Sequence, residues 1–315
     1  MKRIPLWLTV VPLILGVAGY WWFWSGYKDG FREQIAAVFP GSPVTIGGFP
    51  YRLEAEVGSP RLESRGDVPA TASADNAILN RGPWQPDLTI VRSAEPRVSG
   101  RIPALANSTL SIAAPSSETS LHLDQARRIA RLSTVFDKPR VTLALLGLPL
   151  TATKLEVHFR ETTGRSAEAW SPSLPQRAQV VLEGEGVKAA AGAPLKLAAD
   201  IRVTGPTRLI DYARWASKGT VEIHALTLAD TTDEVLRLDA TMVASGGVPR
   251  LTGTLVTSCP QTVRAALTGE RVSEQRLRLP VTLSLSGSPG AWQLGNLPEA
   301  GRATRAQQPA CPALR

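Results

Sequence analysis

The chain has 315 residues, 43% hydrophobic and 20% charged, which excludes an intrinsically disordered protein and leaves room for one large β domain or two ordinary ones. Its net charge of +8 rests on arginine, with only seven lysines among the 35 basic residues. No run of five or six like charges occurs, so the charge speaks against nucleic acid as a partner; an arginine bias of this kind is what GC-rich codon usage produces.

Lys2 and Arg3 precede an uncharged stretch over 6–24, LWLTVVPLILGVAGYWWFW. As a helix this stretch rises about 28 Å, close to the hydrocarbon thickness of a bilayer. Pro12 is tolerable inside a membrane helix. Tyr20, Trp21, Trp22 and Trp24 gather at the far end, where amphipathic rings sit at headgroup level. A cleaved signal peptide would have a shorter apolar region followed by small residues, and bulky aromatics stand there instead. Residues 1–25 are therefore expected to form an uncleaved signal anchor, a single transmembrane helix with its N-terminus in the cytoplasm and the bulk of the chain outside it. In residues 26–43, Tyr27, Phe31, Ile35 and Phe39 recur every four positions, with Val38 on the same stripe. This spacing predicts an amphipathic helix that docks on the folded domain and ends at Pro40–Gly41.

From residue 44 the period changes to two. In LKLAADIRV, Leu195, Leu197, Ala199, Ile201 and Val203 share one face and Lys196, Asp200 and Arg202 the other. In RLRLPVTLSLSG, Leu277, Leu279, Val281, Leu283 and Leu285 form the longest one-sided stripe. ATKLEVHFR, GTVEIHA and EVLRLDATM alternate in the same way. Such strands belong to antiparallel sheets with one wet face, so 44–315 is expected to be a mainly β domain, with a break in the pattern at 164–177 where two lobes could meet. Short helices are predicted at 124–135 with Asp124 as N-cap, at 206–217 opening on Pro206, and after Ser258. Gly-Gly-Phe-Pro at 47–50 reads as a strand-entry corner, with echoes at 146–149 and 246–249, because proline is acceptable where a strand begins and glycine permits a positive-φ turn.

No catalytic motif emerges. The Gly-x-Gly-x-x-Ala of EGEGVKAAAG lacks the following helix that a dinucleotide fingerprint needs, because Gly192 and Pro194 end any helix, so a turn is expected there. Glu156 with His158, and Glu222 with His224, lie on polar strand sides; they could form a metal or acid–base group only if their strands were neighbours, and surface cross-strand pairs would look the same. Asn107 begins a glycosylation sequon, which matters only in a eukaryotic secretory pathway. Cys259 and Cys311 suit an oxidising compartment; joined, they would tie the tail QQPACPALR to the body, and the alternative is two separate thiols.

The N-terminal anchor, GFPYRLEAEV soon after it, one-sided strands throughout and a closing LPVTLSLSGSPGAWQLGNLP together resemble a bacterial family, the domain of unknown function 2125. That resemblance implies an inner-membrane-anchored periplasmic protein with no established activity. Through a distant likeness to AsmA-type envelope proteins, it implies a curved antiparallel sheet, a β groove or "taco", able to hold lipid chains. It implies no catalytic residue and no cofactor. The apolar groove would be lined by Leu195, Leu197, Ile201, Val203, Leu277, Leu279, Val281, Leu283 and Leu285. Alternation alone does not separate such a groove from a closed core. Two non-enzymatic functions follow: holding or passing acyl chains, or scaffolding another envelope protein.

Overall fold

The computed structural model describes residues 7–314 apart from 65–66, 83, 103–107, 127, 145–147, 163–174, 190–191, 208, 210, 232, 246–247, 271, 289–290 and 298–308. Asn107 and the pattern break at 164–174 lie outside the described residues.

One continuous helix, α1 (Trp7–Val38), spans both segments that the sequence divides, with Pro12 inside it. Its C-terminal half packs on the sheet through Trp24, Phe31, Ile35 and Phe39, whereas Tyr27 and Val38 of the expected stripe are exposed. Residues 10–19 are all exposed. No helix of the described residues is long and apolar enough to cross a membrane.

Among the described residues twenty antiparallel strands follow. The first eight are β1 (Val44–Gly47), β2 (Leu53–Gly58), β3 (Arg61–Ser64), β4 (Ala70–Ser73), β5 (Asn76–Arg81), β6 (Leu88–Ala94), β7 (Arg97–Ile102) and β8 (Ser108–Ala113). Next come β9 (Ser116–Leu123), β10 (Ile129–Asp137), β11 (Arg140–Leu143), β12 (Leu148–Thr151), β13 (Lys154–Glu161), β14 (Gln176–Ala189) and β15 (Leu195–Thr204). After the short helix α2 (Tyr212–Ala216) run β16 (Thr220–Ala229), β17 (Glu234–Ser245) and β18 (Val248–Thr257). Helix α3 (Pro260–Thr268) precedes β19 (Val281–Ser288) and β20 (Ala291–Gly295).

The first sheet is open, with order β1-β2-β5-β6-β9-β10-β13-β14-β15-β16-β17-β18-β19-β20. A second sheet, β3-β4-β7-β8-β11-β12, joins the end of β14. The chain passes between the sheets at corners built alike. At Ser59, Glu95 and Lys138 the backbone turns through positive φ (47°, 50° and 43°), and each is followed by a buried proline, Pro60, Pro96 or Pro139. The returning strand closes the corner: Ser59 N–H donates to the Asp75 carbonyl and Ala74 N–H to Pro60. The same pair of bonds joins Glu95 to Pro115 and Ala114 to Pro96, and again Lys138 to Thr153 and Ala152 to Pro139. Strand β14 turns the same corner without a break, through a register shift between Gly184 and Val187, with Gly186 at φ 61°. The glycine-rich EGEG is thus a bend inside one long strand, because only glycine takes that φ without strain.

Other local expectations change under tertiary pairing. The helix predicted over 124–135 is the turn before β10 and β10 itself, whose residues pair on both sides with β9 and β13; a full ladder on each edge outweighs a weak helical spacing. Pro206 does not open a helix; α2 begins later, with the Asp211 carboxylate accepting from Arg214 N–H. Ser258 does not cap α3; the Glu274 carboxylate accepts from the N–H groups of Gln261 and Thr262 (3.3 and 2.9 Å). Gly48 takes φ 93° in the first corner, as the Gly-Gly-Phe-Pro reading requires, while Pro149 and Pro249 occupy the second positions of β12 and β18. Gly147 and 246–247 of the two echoes lie outside the described residues.

Candidate functional site

Period-two alternation lines up across the strands because every pairing is antiparallel and the apolar positions face one another directly. One row runs from Ile46 and Ala55 through Leu79, Val91, Thr119, Thr134, Val157, Leu182, Ala199, Leu226, Leu238 and Leu255 to Leu283. At the usual strand spacing it is about 58 Å long. Its two hydroxyls, Thr119 and Thr134, bond to each other at 3.0 Å, so neither faces the apolar row unsatisfied.

Both ends of the row are covered. At one end α1 lies on Ile46, Leu53, Ala55, Val57, Ala77 and Leu79. At the other, Val263 of α3 packs with Leu236, Leu255 and Leu283. Between them Val157 and Leu182 are half-buried and belong to neither helix-covered cluster, while the half-buried Leu226 packs beside the one that α3 covers. The second sheet carries its own apolar row, Leu62, Ala72, Val98, Ile112, Val141 and Leu150. Ile112 and Val141 pack against the cluster of Ala114, Phe136 and Leu155, and Val157 of the first sheet borders the same cluster. The apolar rows of the two sheets thus face the same side of the corner. Ile102, at the far tip of β7, reaches the cluster of Ala240, Met242, Leu251 and Leu285.

Beside α1 a cleft of about 1170 Å³ lies between Trp22, Phe23, Tyr27 and Phe31 of the helix and the β5–β6 and β9–β10 turns. Arg81 stands in it, next to Leu53 in register on the inner face. Its guanidinium lies 5.0 Å over the Phe31 ring and donates to Thr89 Oγ1 (3.1 Å) and Gln34 Oε1 (3.0 Å). A smaller cavity of about 430 Å³ lies along the outer face, by Ile78, Arg92 and Glu118. Arg92 and Glu118 are paired there at 2.9 Å and both exposed, and Glu118 raises the arginine further above its ordinary value.

The residues expected to line a groove divide three ways. Leu197, Ile201, Val203 and Val281 are half-buried on inner faces. Leu195, Leu283 and Leu285 are core: Leu195 packs against Cys259 and Val235, and Leu283 is fully buried. Leu277 and Leu279 are not on the sheet, and Leu279 is 76% exposed. Residues 274–276 run beside the C-terminal tail, where Arg276 N–H donates to Pro309, Cys311 N–H to Glu274, and Gln275 bridges Ala310, while Leu277 N–H donates to Ser258. Cys259 and Cys311 are joined, with Cα atoms 5.9 Å apart, and hold that tail in place. Val157 and Leu182, in the middle of the row, were not singled out in the sequence, although the alternation of ATKLEVHFR contains Val157.

The two Glu–His pairs are not brought together, because β14 and β15 lie between β13 and β16. Glu156 pairs at the surface with Lys154 and, at 3.4 Å, with His158; the Lys154 partner holds its carboxyl below the ordinary range. Glu222 is buried under the Thr204–Thr220 hydroxyl pair, with Oε2 lacking a hydrogen-bond partner. Burial raises its carboxyl above the ordinary value, against the opposing pull of the Thr220 and Thr204 hydroxyls and of Arg202 and His224. No group of three or more His, Cys, Asp or Glu side chains among the described residues is arranged to hold a metal ion.

A family model described as an uncharacterised protein conserved in bacteria (DUF2125) matches residues 38–241, from the end of α1 to the middle of β17. No curated protein and no solved structure matches the chain.

Proposed function

We propose that this chain, which belongs to the DUF2125 family of bacterial proteins, holds or passes lipid acyl chains along its inner apolar face without doing covalent chemistry. The observation that carries this reading is the apolar row, continuous in register over thirteen strands, with a half-buried middle that belongs to neither helix-covered cluster. Water against such a face is unfavourable, and each methylene laid on it contributes about 0.8 kcal/mol, or roughly 6 kcal/mol for eight. Association entropy offsets much of that figure, which suits a carrier that must also release its load. Arg81 in the cleft beside α1 is the cation that an anionic headgroup would meet on entry. Helix α1 enters the bacterial inner membrane with its exposed apolar half, N-terminus inside, and the sheet stands in the periplasm; the Cys259–Cys311 bond supports an oxidising compartment.

Native mass spectrometry of gently extracted full-length protein tests the reading, and lipid adducts on the folded monomer are expected. The second reading, a scaffold for another envelope protein, draws on strand β3, a sheet edge with all four residues exposed. A stoichiometric protein partner with no lipid adduct would select it.

A further inference from the structure

Among the described residues, exposed aromatic side chains are confined to one place. Every exposed Phe, Tyr or Trp among them lies on α1 or on the β1–β2 and β5–β6 turns beside it. Trp22 is 77% exposed, Tyr51 86% and Trp84 77%. Aromatics elsewhere, such as Phe136, Trp215 and Trp292, are buried or half-buried.

The two turns share one end of the first sheet, since Leu53 and Arg81 pair directly where β2 begins and β5 ends. Helix α1 crosses that end at the same level. Tyr20 O–H donates to the Pro50 carbonyl, and Phe49 packs on Tyr20 and Trp24. Beyond Tyr20 the helix leaves the sheet, and its exposed apolar residues 10–19 project past this rim by about 15 Å. Tyr and Trp combine an apolar ring with one polar atom, and their preferred surroundings are apolar on one side and wet on the other.

Resting on the membrane-held reading above, we propose that this rim lies on the headgroup layer of the bilayer that receives α1. Tyr51 and Trp84 are its contacts, and the cleft beside the helix opens onto the membrane. The occupant is lipid because the rim continues a helix segment that is apolar on all sides, and a protein groove would cover only one stripe of such a segment. Two contacts away from the helix axis hold the sheet at a fixed angle, whereas a helix alone would leave it free to swing.

The test uses the full-length chain, labelled with fluorotryptophan, in vesicles of phosphatidylethanolamine and phosphatidylglycerol with and without a doxyl lipid labelled near the headgroup. Trp84 is assigned by Trp84→Phe and Trp22 by Trp22→Phe. The doxyl label should broaden the fluorine signals of both Trp22 and Trp84 and leave that of Trp215 unchanged. Broadening of Trp22 without Trp84 would overturn the rim contact and leave the membrane-held helix standing. Broadening of neither would overturn both. A Trp84 signal that ignores the label but shifts as protein concentration rises would assign the rim to self-association instead.

Discussion

Replacing Val157 by tryptophan separates a furrow from a closed core. Val157 stands in the middle of the inner row, between Thr134 and Leu182 on adjoining strands, and is half-buried. An indole there spreads over its neighbours and removes room along about 10 Å of the row, two strand spacings. If it displaces four methylenes of a bound chain, the loss is about 3 kcal/mol, more than 100-fold in affinity. In a furrow its stability effect is small, because the half-buried side chain belongs to neither helix-covered cluster and the ring grows along the row. The control is Leu283→Trp, at a site fully buried under Val263 of α3, where overpacking costs about 1 to 3 kcal/mol. Lipid retained per folded protein, read by mass spectrometry beside a urea unfolding curve, measures both quantities. Val157→Trp should lose lipid and keep its unfolding midpoint, while Leu283→Trp should lower the midpoint. Equal destabilisation by the two variants would refute the argument, as would undiminished lipid on folded Val157→Trp.

Three further outcomes are expected. Leu283→Ala should cost about 2 to 5 kcal/mol in urea unfolding, whereas Leu279→Ala, at an exposed position off the sheet, should stay within about 0.5 kcal/mol. Cys259→Ser removes a bond closing a separation of 52 residues and should lower stability by up to about 4 kcal/mol on the chain-entropy model; an unchanged unfolding curve would show that the tail contributes nothing. Glu222 has its folded-state value raised by burial, so the folded chain keeps a proton that the unfolded chain has released, and stability falls as pH rises from the ordinary carboxyl value through the raised one. Glu222→Gln should therefore flatten that decline and be at least as stable as wild type at neutral pH, a difference absent below the ordinary carboxyl value and readable as urea midpoints across the pH range.

Much of the secondary structure was legible in the sequence because strand alternation is local: side chains two residues apart share a face whatever the strand pairs with. The β class, the stripe at 195–203, and Phe31, Ile35 and Phe39 at the docking end of α1 were all readable one segment at a time, whereas Cys259 and Cys311 stood as either joined or separate thiols until the fold brought them together. Misreadings came where a local pattern has two physical origins. Leu277 and Leu279 alternate like a strand but precede β19, which begins at Val281, and residues 129–135 space their apolar groups well enough for either helix or strand. Which apolar residues are covered is not local at all. Leu283 and Val157 carry the same alternating signal, yet α3 folds back over the first while the second belongs to neither helix-covered cluster. The corners are the other tertiary decision. Ser59, Glu95 and Lys138 accept a positive φ only because a returning strand supplies the closing hydrogen bonds, and those partners lie 15 to 20 residues away. The residues thus determined strands with one apolar side, and long-range pairing alone turned those sides toward one another.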